Sequence, residues 1–402
     1  VLQYNPESFK DIQFVKFEKI DQNSNLVTCE EDVETNSYYV YFILKGSFGS
    51  PITPDHPSLG NIENEFEIKF LEKSGTPDSN IQLSSTKLEF VENTDKTARQ
   101  NLHFLIDFTN SATEGTTPSL SGGITSVNKL SDVLGRIGSF FENLDNHFNN
   151  DKITFPTSDF FGVKYSAFTS KNVEEPIVYP ISRRYDTKLN DILSYLDFNT
   201  AKTDYKSIYG TSSYTHRKLF DAYDKTVNLM LEDTSNKNKN LVFIVSGYEE
   251  TFYETAEKNL DSCFNETTQK NPCKSEKTES DMFALAATQK IPVFISANRS
   301  DSKSFPTTDG KDKIIDKKFR KLACLTNGVY FSEYQEGSEF KNMTYNDIGI
   351  VFGILEHAVF GIWRVKINFE NTFTEKYEGK IKIEYKGSNT NETSETLYKI
   401  VK

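Results

Sequence analysis

Three stretches of this sequence place oxygen-bearing side chains where they could serve a cation. The first is Asp107-Phe108-Thr109-Asn110-Ser111, directly after the apolar run Leu102-His103-Phe104-Leu105-Ile106. A hard divalent cation takes oxygen ligands. An Asp at a strand end, with hydroxyls two and four residues further along a curling loop, can aim three oxygens at one spot. Alone the pattern is weak, because Asp, Ser and Thr also follow strands for turn reasons. Two more loops strengthen it. Ser213-Tyr214-Thr215 precedes a helical pattern, and Ser246-Gly247 follows the apolar run Leu241–Val245.

Other chemistries find less support. Ser121-Gly122-Gly123 is not followed by the Lys-Ser/Thr of a phosphate loop. No Gly-x-Ser-x-Gly nucleophile elbow occurs. The five histidines, His56, His103, His147, His216 and His357, include no pair at helical spacing. A helix-borne His metal site is therefore not expected, and each is expected at the surface or half-buried. The four cysteines match neither a zinc ribbon nor a Cys-x-x-Cys redox site. Cys263 and Cys273 flank a short polar loop that a disulfide can staple in an oxidising compartment; two free thiols are the alternative. Cys29 and Cys324 have no assigned partners. Sequons at Asn265, Asn298, Asn342 and Asn391 are compatible with secretion. No base, nucleophile or second acidic ligand is placed for catalysis, so no enzyme is expected.

The elements that must hold the strand-end loops follow from periodicity. Leu102–Ile106, Leu241–Val245 and Ile291–Ser296 are near-continuous apolar runs, as in strands buried on both faces. Phe161–Phe168, Pro176–Ile181 and Val329–Phe331 are further strands. Helical spacing runs through Ile124–Phe148, Leu189–Leu196, Thr215–Leu231, Met282–Gln289, Lys317–Leu325 and Tyr345–Val359. Short apolar strands alternating with helices predict a doubly wound, mostly parallel α/β sheet over residues 99–360. Residues 1–98 read instead as β-structure, with Asp11–Ile20, Ser37–Leu44, Phe66–Phe70 and Lys87–Val91 as strands. The β pattern returns after Gly361 in Trp363–Phe369, Lys380–Tyr385 and Thr396–Val401. The economical arrangement is one sandwich-like β-domain, residues 1–98 with 361–402, interrupted by the α/β domain. Two successive β modules are the alternative.

Residues 99–360 resemble the von Willebrand factor A (vWA, or integrin I-like) family. The resemblance rests on the apolar strand ending Asp-x-Thr-x-Ser, the long helix after it, the Ser-x-Thr loop opening a helix, and the later strand ending before Gly247. It implies a metal-ion-dependent adhesion site for Mg²⁺ or Mn²⁺. Asp107, Thr109 and Ser111 match its first motif, and Ser213 falls where the family has its coordinating Thr. Ser246 falls where the family has an Asp. That departure leaves one carboxylate facing the ion, and electrostatics predicts weaker metal binding. Glu249 and Glu250 lie close enough in sequence to compensate through water. The resemblance further implies a protein or peptide partner at this face, a cell-surface or other extracytoplasmic setting, and a switch in which the helix Tyr345–Val359 passes a shift to the returning β-strand. A structural or assembly subunit with a vestigial metal site is the rival reading.

Composition sets the outer limits. The chain has 402 residues, which suggests two or three domains at roughly 100–200 residues each. Hydrophobic residues make up 36% and Phe alone counts 32, so a full core is available. The net charge of −12 argues against nucleic acid, which calls for a basic face. No stretch approaches 18 apolar residues free of charge, so no membrane-spanning segment is expected. The chain begins Val1-Leu2-Gln3 without a signal-peptide pattern, as a processed chain would.

Overall fold

The computed structural model describes residues 2–4, 12–20, 37–44, 54, 66–72, 74, 76–77, 81–82, 88–92, 100–107, 116–118, 124–126, 134–135, 137–142, 161–168, 178–180, 185–196, 218–234, 238–246, 275–298, 312–332, 361–369, 377–385 and 392–400. In chain order the strands open with β1 (Leu2–Tyr4), β2 (Ile12–Ile20), β3 (Ser37–Leu44), β4 (Phe66–Glu72), β5 (Ile81–Gln82) and β6 (Leu88–Glu92). Next come β7 (Gln100–Asp107), β8 (Thr116–Pro118), β9 (Ile124–Ser126), β10 (Phe161–Phe168), β11 (Val178–Pro180), β12 (Asn238–Ser246), β13 (Val293–Asn298) and β14 (Val329–Ser332). The last three are β15 (Gly361–Phe369), β16 (Tyr377–Tyr385) and β17 (Glu392–Ile400). Helices are α1 (residues 134–135 and 137–142), α2 (Leu189–Ser194), α3 (Leu219–Glu232), α4 (Glu279–Gln289) and α5 (Asp312–Leu325).

Contacts group the chain into two compact units. One comprises Val1–Lys96, His147–Ile153 and Gly353–Lys402; the other comprises Thr97–Asn146 and Thr154–Phe352. The fold is an α/β sheet together with an all-β, sandwich-like component.

The all-β unit holds two antiparallel sheets, in the orders β1-β17-β16-β4 and β2-β3-β15-β5, with β6 also on β15. Strand β15 follows the α/β segment in sequence yet pairs with β3 and β6, which precede it. Alternation sets its core. Trp363, Val365 and Ile367 lie opposite Phe42, Val40 and Tyr38, and Phe90 meets Trp363 edge-on at 4.9 Å. Gly361 opens β15 at φ +132°, and a Cβ there would come within 2.6 Å of the Phe90 ring. Only glycine tolerates both the dihedral and the contact.

The α/β unit is built on a six-stranded sheet, β11-β10-β7-β12-β13-β14. Five strands are parallel, and β11 joins the edge antiparallel to β10. Both faces are covered, which explains why β7 and β12 read as unbroken apolar runs. On one face Leu105, Phe168, Phe243 and Ile295 share a core with Leu219 and Val227 of α3, Met282 of α4 and Phe319 of α5. The spacing of Leu219, Ala222, Tyr223, Val227 and Met230 gives α3 the apolar stripe this requires. On the other face Phe104 meets Phe141 of α1 at 5.9 Å and Tyr165 at 5.4 Å, and Tyr165 meets Tyr195 beyond α2. Each such fully buried ring or aliphatic side chain contributes about 2 kcal/mol of transfer free energy.

The elements differ from the periodicity at several edges. Residues 124–126, expected as the start of a long helix, form β9 and pair with β8; helix is described only within 134–142. The β-branched Ile124 and Thr125 favour an extended backbone. Helix α3 starts at Leu219 rather than Thr215, α4 at Glu279 rather than Met282, and α5 at Asp312 rather than Lys317. For α4 the cause is visible: Thr278 caps the N–H of Asp281 while the Asp281 carboxylate accepts from the Thr278 N–H. The expected helix Tyr345–Val359 lies outside the described residues.

Candidate recognition site

Numbered by their order within the α/β unit and leaving aside the β8–β9 ribbon, the six strands run 3-2-1-4-5-6 across the sheet. The chain therefore turns back on itself between β7 and β12. Helix α1, which follows β7, packs on Phe104 at one face, and α4, which follows β12, joins the core at the other; at such a switch point sheets of this kind bind ligands. Asp107 is the last residue of β7. It is 2% exposed, and its Cα partner on β10 is Phe168. On the other side β12 is in register with β7 through Ile244 and Ile106. It runs two residues further to Ser246, which pairs with Asn298 at the end of β13. Asp107, Ser246 and Asn298 thus end three successive strands on one edge of the sheet.

The structure brings Asp107 and Ser246 to that edge. Thr109, Ser111, Ser213, Glu249 and Glu250 lie outside the described residues, as do Cys263 and Cys273. Cys324, at the carboxyl end of α5, is disulfide-bonded. Among the described residues no group of three His, Cys, Asp or Glu side chains is placed to hold a metal. A cation at this edge would rest on the Asp107 carboxylate and on hydroxyls. That donor set is chemically suited to Mg²⁺ or Mn²⁺ but carries little charge.

Helix α3 brings further polar groups to the same edge. Asp233, just past its C-terminus, accepts a 3.0 Å hydrogen bond from Asn101 Nδ2 near the amino end of β7. The 14 residues of α3 span about 20 Å, close to the length of an eight-residue strand. Its N-terminus therefore lies at the carboxyl edge. There Asp221, itself buried, accepts from the backbone N–H groups of Glu276 at 2.9 Å and Lys277 at 2.8 Å. Its own N–H donates to Ser275 Oγ at 3.3 Å. These bonds tie the start of α3 to the segment entering α4.

Sequence reasoning missed three of these residues. Asn298 stood out only as a sequon, and its place at a strand end was readable from Ile291–Ser296 alone. Asp221 carried no signal, because its partners are backbone groups over fifty residues away. Lys218, the residue on which α3 opens, could have been noticed as an unusual helix start, where Ser, Thr, Asp or Asn is preferred.

The expectation for the histidines fails at His103, which is fully buried on β7. Its Nε2 lies 2.8 Å from Ser166 Oγ on β10. Burial lowers its pKa to about 3, helped by the Lys164 ammonium nearby. The ring is neutral at any ordinary pH, so it packs as a core side chain rather than serving as a surface base. Its Nδ1 has no hydrogen-bond partner.

No known protein family matches this sequence, and no curated protein matches it. Solved structures to which the chain shows similarity include the minor pilin PilB from Streptococcus sanguinis, at 8% identity and TM-score 0.39, over 88% of this chain and 79% of that one. They include the pilus adhesin SpaC from Lactobacillus rhamnosus GG, at 9% identity and TM-score 0.35, over 98% of this chain and 49% of that one. The human COPII-coat protein Sec24c is similar at 8% identity and TM-score 0.35, over 79% of this chain and 44% of that one. The chain thus spans about half the length of two of the three.

Proposed function

We propose that this chain is a vWA-like recognition protein that engages a protein or peptide partner at the carboxyl edge of its parallel sheet. One observation carries this reading: the sheet's switch point lies between β7 and β12, and a buried carboxylate, Asp107, ends β7 there. Asp107 with Thr109, Ser111 and Ser213 would hold Mg²⁺ or Mn²⁺, and Ser246 would act through water. Bound there, the ion would supply a positive charge for an acidic side chain of the partner. The setting is the cell surface or another extracytoplasmic compartment. A disulfide at Cys324 accords with oxidising surroundings.

A second reading, a structural or assembly subunit with a vestigial site, is favoured by Ser246, which leaves β12 without the second carboxylate. Titration calorimetry with Mg²⁺ and Mn²⁺ separates the two. The recognition reading expects millimolar or tighter binding that is lost in Asp107→Ala. Absence of heat for either metal, together with partner binding that survives Asp107→Ala, would establish the assembly reading instead.

A further inference from the structure

Strand β4 ends the four-stranded sheet β1-β17-β16-β4 of the all-β unit. It opens Phe66-Glu67-Ile68-Lys69-Phe70, with an acid and a base placed evenly about Ile68. Turned end for end, this segment matches itself: Phe meets Phe, Glu meets Lys, and Ile meets Ile. Among the described residues no strand pairs with β4 over Phe66–Phe70 on the side away from β16. The turn after β4 fixes which backbone groups face that side. Leu71 pairs with Lys380 of β16 and bridges to Pro77 on its other side. On that other side Glu72 donates its N–H to the Thr76 carbonyl at 2.7 Å. Peptide groups alternate between the two sides of an antiparallel strand. Phe66 and Ile68 therefore direct their N–H and C=O groups away from β16, as Glu72 does.

The charges favour the same occupant. On β16 each meets its own sign: Lys69 stands opposite Lys382, and Glu67 opposite Glu384. Glu395 of β17 lies beyond Lys382. Like charges directly opposite one another cost stability. A second, antiparallel β4 sets an opposite charge on the other flank of both Glu67 and Lys69. By contrast β2, an edge of the other sheet, is interrupted between Phe14 and Lys16, which blunts it. Strands β1 and β11, also at edges, are three residues each.

We propose that two copies of this chain join through β4, antiparallel about a two-fold axis at Ile68, so that their four-stranded sheets run on into one another. Ile68 exchanges its backbone N–H and C=O with Ile68 of the second copy. Glu67 stands across from Lys69 of the second copy, and the symmetry repeats that pair. Phe66 falls opposite Phe70 of the second copy on the other face. The proposal goes beyond the recognition reading and does not depend on it. The contact is short, so the association is expected to be weak and concentration-dependent.

Sedimentation equilibrium of the full chain, from micromolar to near-millimolar, should follow a reversible monomer–dimer curve. Glu67→Lys and Lys69→Glu each set like charges across the axis, and each should dimerise about tenfold more weakly or worse. Both also bring opposite signs together across β16, so both should fold, as circular dichroism would show. Mixed together, the two variants restore both opposite-sign pairs and should form a heterodimer near wild-type affinity. Ile68→Pro removes an N–H that β16 does not use, and it should abolish the dimer. A wild-type chain that stays monomeric over the whole range overturns the proposal. So does a dimer whose affinity is unchanged in the three folded variants. Charge variants that weaken alone and fail to recover on mixing overturn it as well.

Discussion

The two edges of the parallel sheet treat their polar groups in opposite ways. At the amino edge, Asn101 binds Asp233 and Asn240 binds Gln100 at 3.2 Å. Thr326 Oγ1 accepts from the Val293 N–H at 3.2 Å and donates to the Leu322 carbonyl at 2.9 Å. Gly328 packs so tightly on β13 that a Cβ would stand 2.0 Å from the Val293 carbonyl oxygen. At the carboxyl edge, Asp107 is buried, and the buried Asp221 accepts from the N–H groups of Glu276 and Lys277 at 2.9 Å and 2.8 Å. One edge is closed by hydrogen bonds and close packing between neighbouring elements, and the other ends in buried carboxylates. Substitutions should therefore cost stability at the amino edge, whereas removing the cation at the start of α3 should add some.

The largest effect is expected at the amino edge. Gly328→Ala forces a methyl group into backbone atoms that cannot move aside, and it should cost about 3 kcal/mol or more. A urea midpoint that stays at the wild-type value would show that the edge is not closely packed. Thr326→Val keeps the shape and removes the hydroxyl, leaving the buried Val293 N–H without its acceptor. The expected loss is about 1–2 kcal/mol, read from the same transition.

The middle of β7 should report through pH. The pKa of His103 is lowered to about 3 in the folded chain, against about 6.5 when unfolded. Above pH 6.5 both states carry a neutral ring, and the contribution is constant. As pH falls from 6.5 toward 3, the unfolded chain binds the proton and the folded chain does not. Stability is therefore lost over that window, by up to about 1.4 kcal/mol per pH unit. The stability difference between wild type and His103→Gln should be flat above pH 6.5 and slope below it. A flat difference down to pH 4 would mean that the ring is not buried as described.

At the carboxyl edge the sign should reverse. Lys218→Met removes a cation from the positive end of a helix dipole while keeping most of the stem volume. It should raise stability by up to about 1 kcal/mol. A clear fall in melting temperature would break the contrast between the edges. The smallest change is expected at the neighbouring start of α4, which satisfies itself. Thr278 accepts from Asp281, and backbone and side-chain hydrogen bonds from Thr278 hold the Asp281 carboxyl below its ordinary pKa. Thr278→Ala should cost about 0.5–1 kcal/mol, read as a lower urea midpoint.

Much of this was legible in the sequence because it depends on local pattern. The runs Leu102–Ile106, Leu241–Val245 and Ile291–Ser296 could be read as doubly buried strands, since a strand covered on both faces has no polar alternation to lose. The place of Asp107 at a strand end followed from that reading, and Ser246 followed likewise. Helix starts were less legible. The start of α4 depends on a side chain that turns back onto its own backbone, and that of α3 occurs at a residue that no capping preference predicts. The long helix expected from Ile124 fails at its first turn, where β9 finds β8 as a partner.

By itself, then, the sequence determined the alternation of strand and helix, the strands that would be central, and the hydroxyls and single carboxylate that would follow them. These depend on neighbours in the chain. Only the tertiary structure decided the strand order, and with it the switch point beside Asp107. It also decided that His103 is core and that Asp221 is spent on a distant backbone. Each of these depends on which remote groups come within reach of a side chain, and local periodicity carries no information about that.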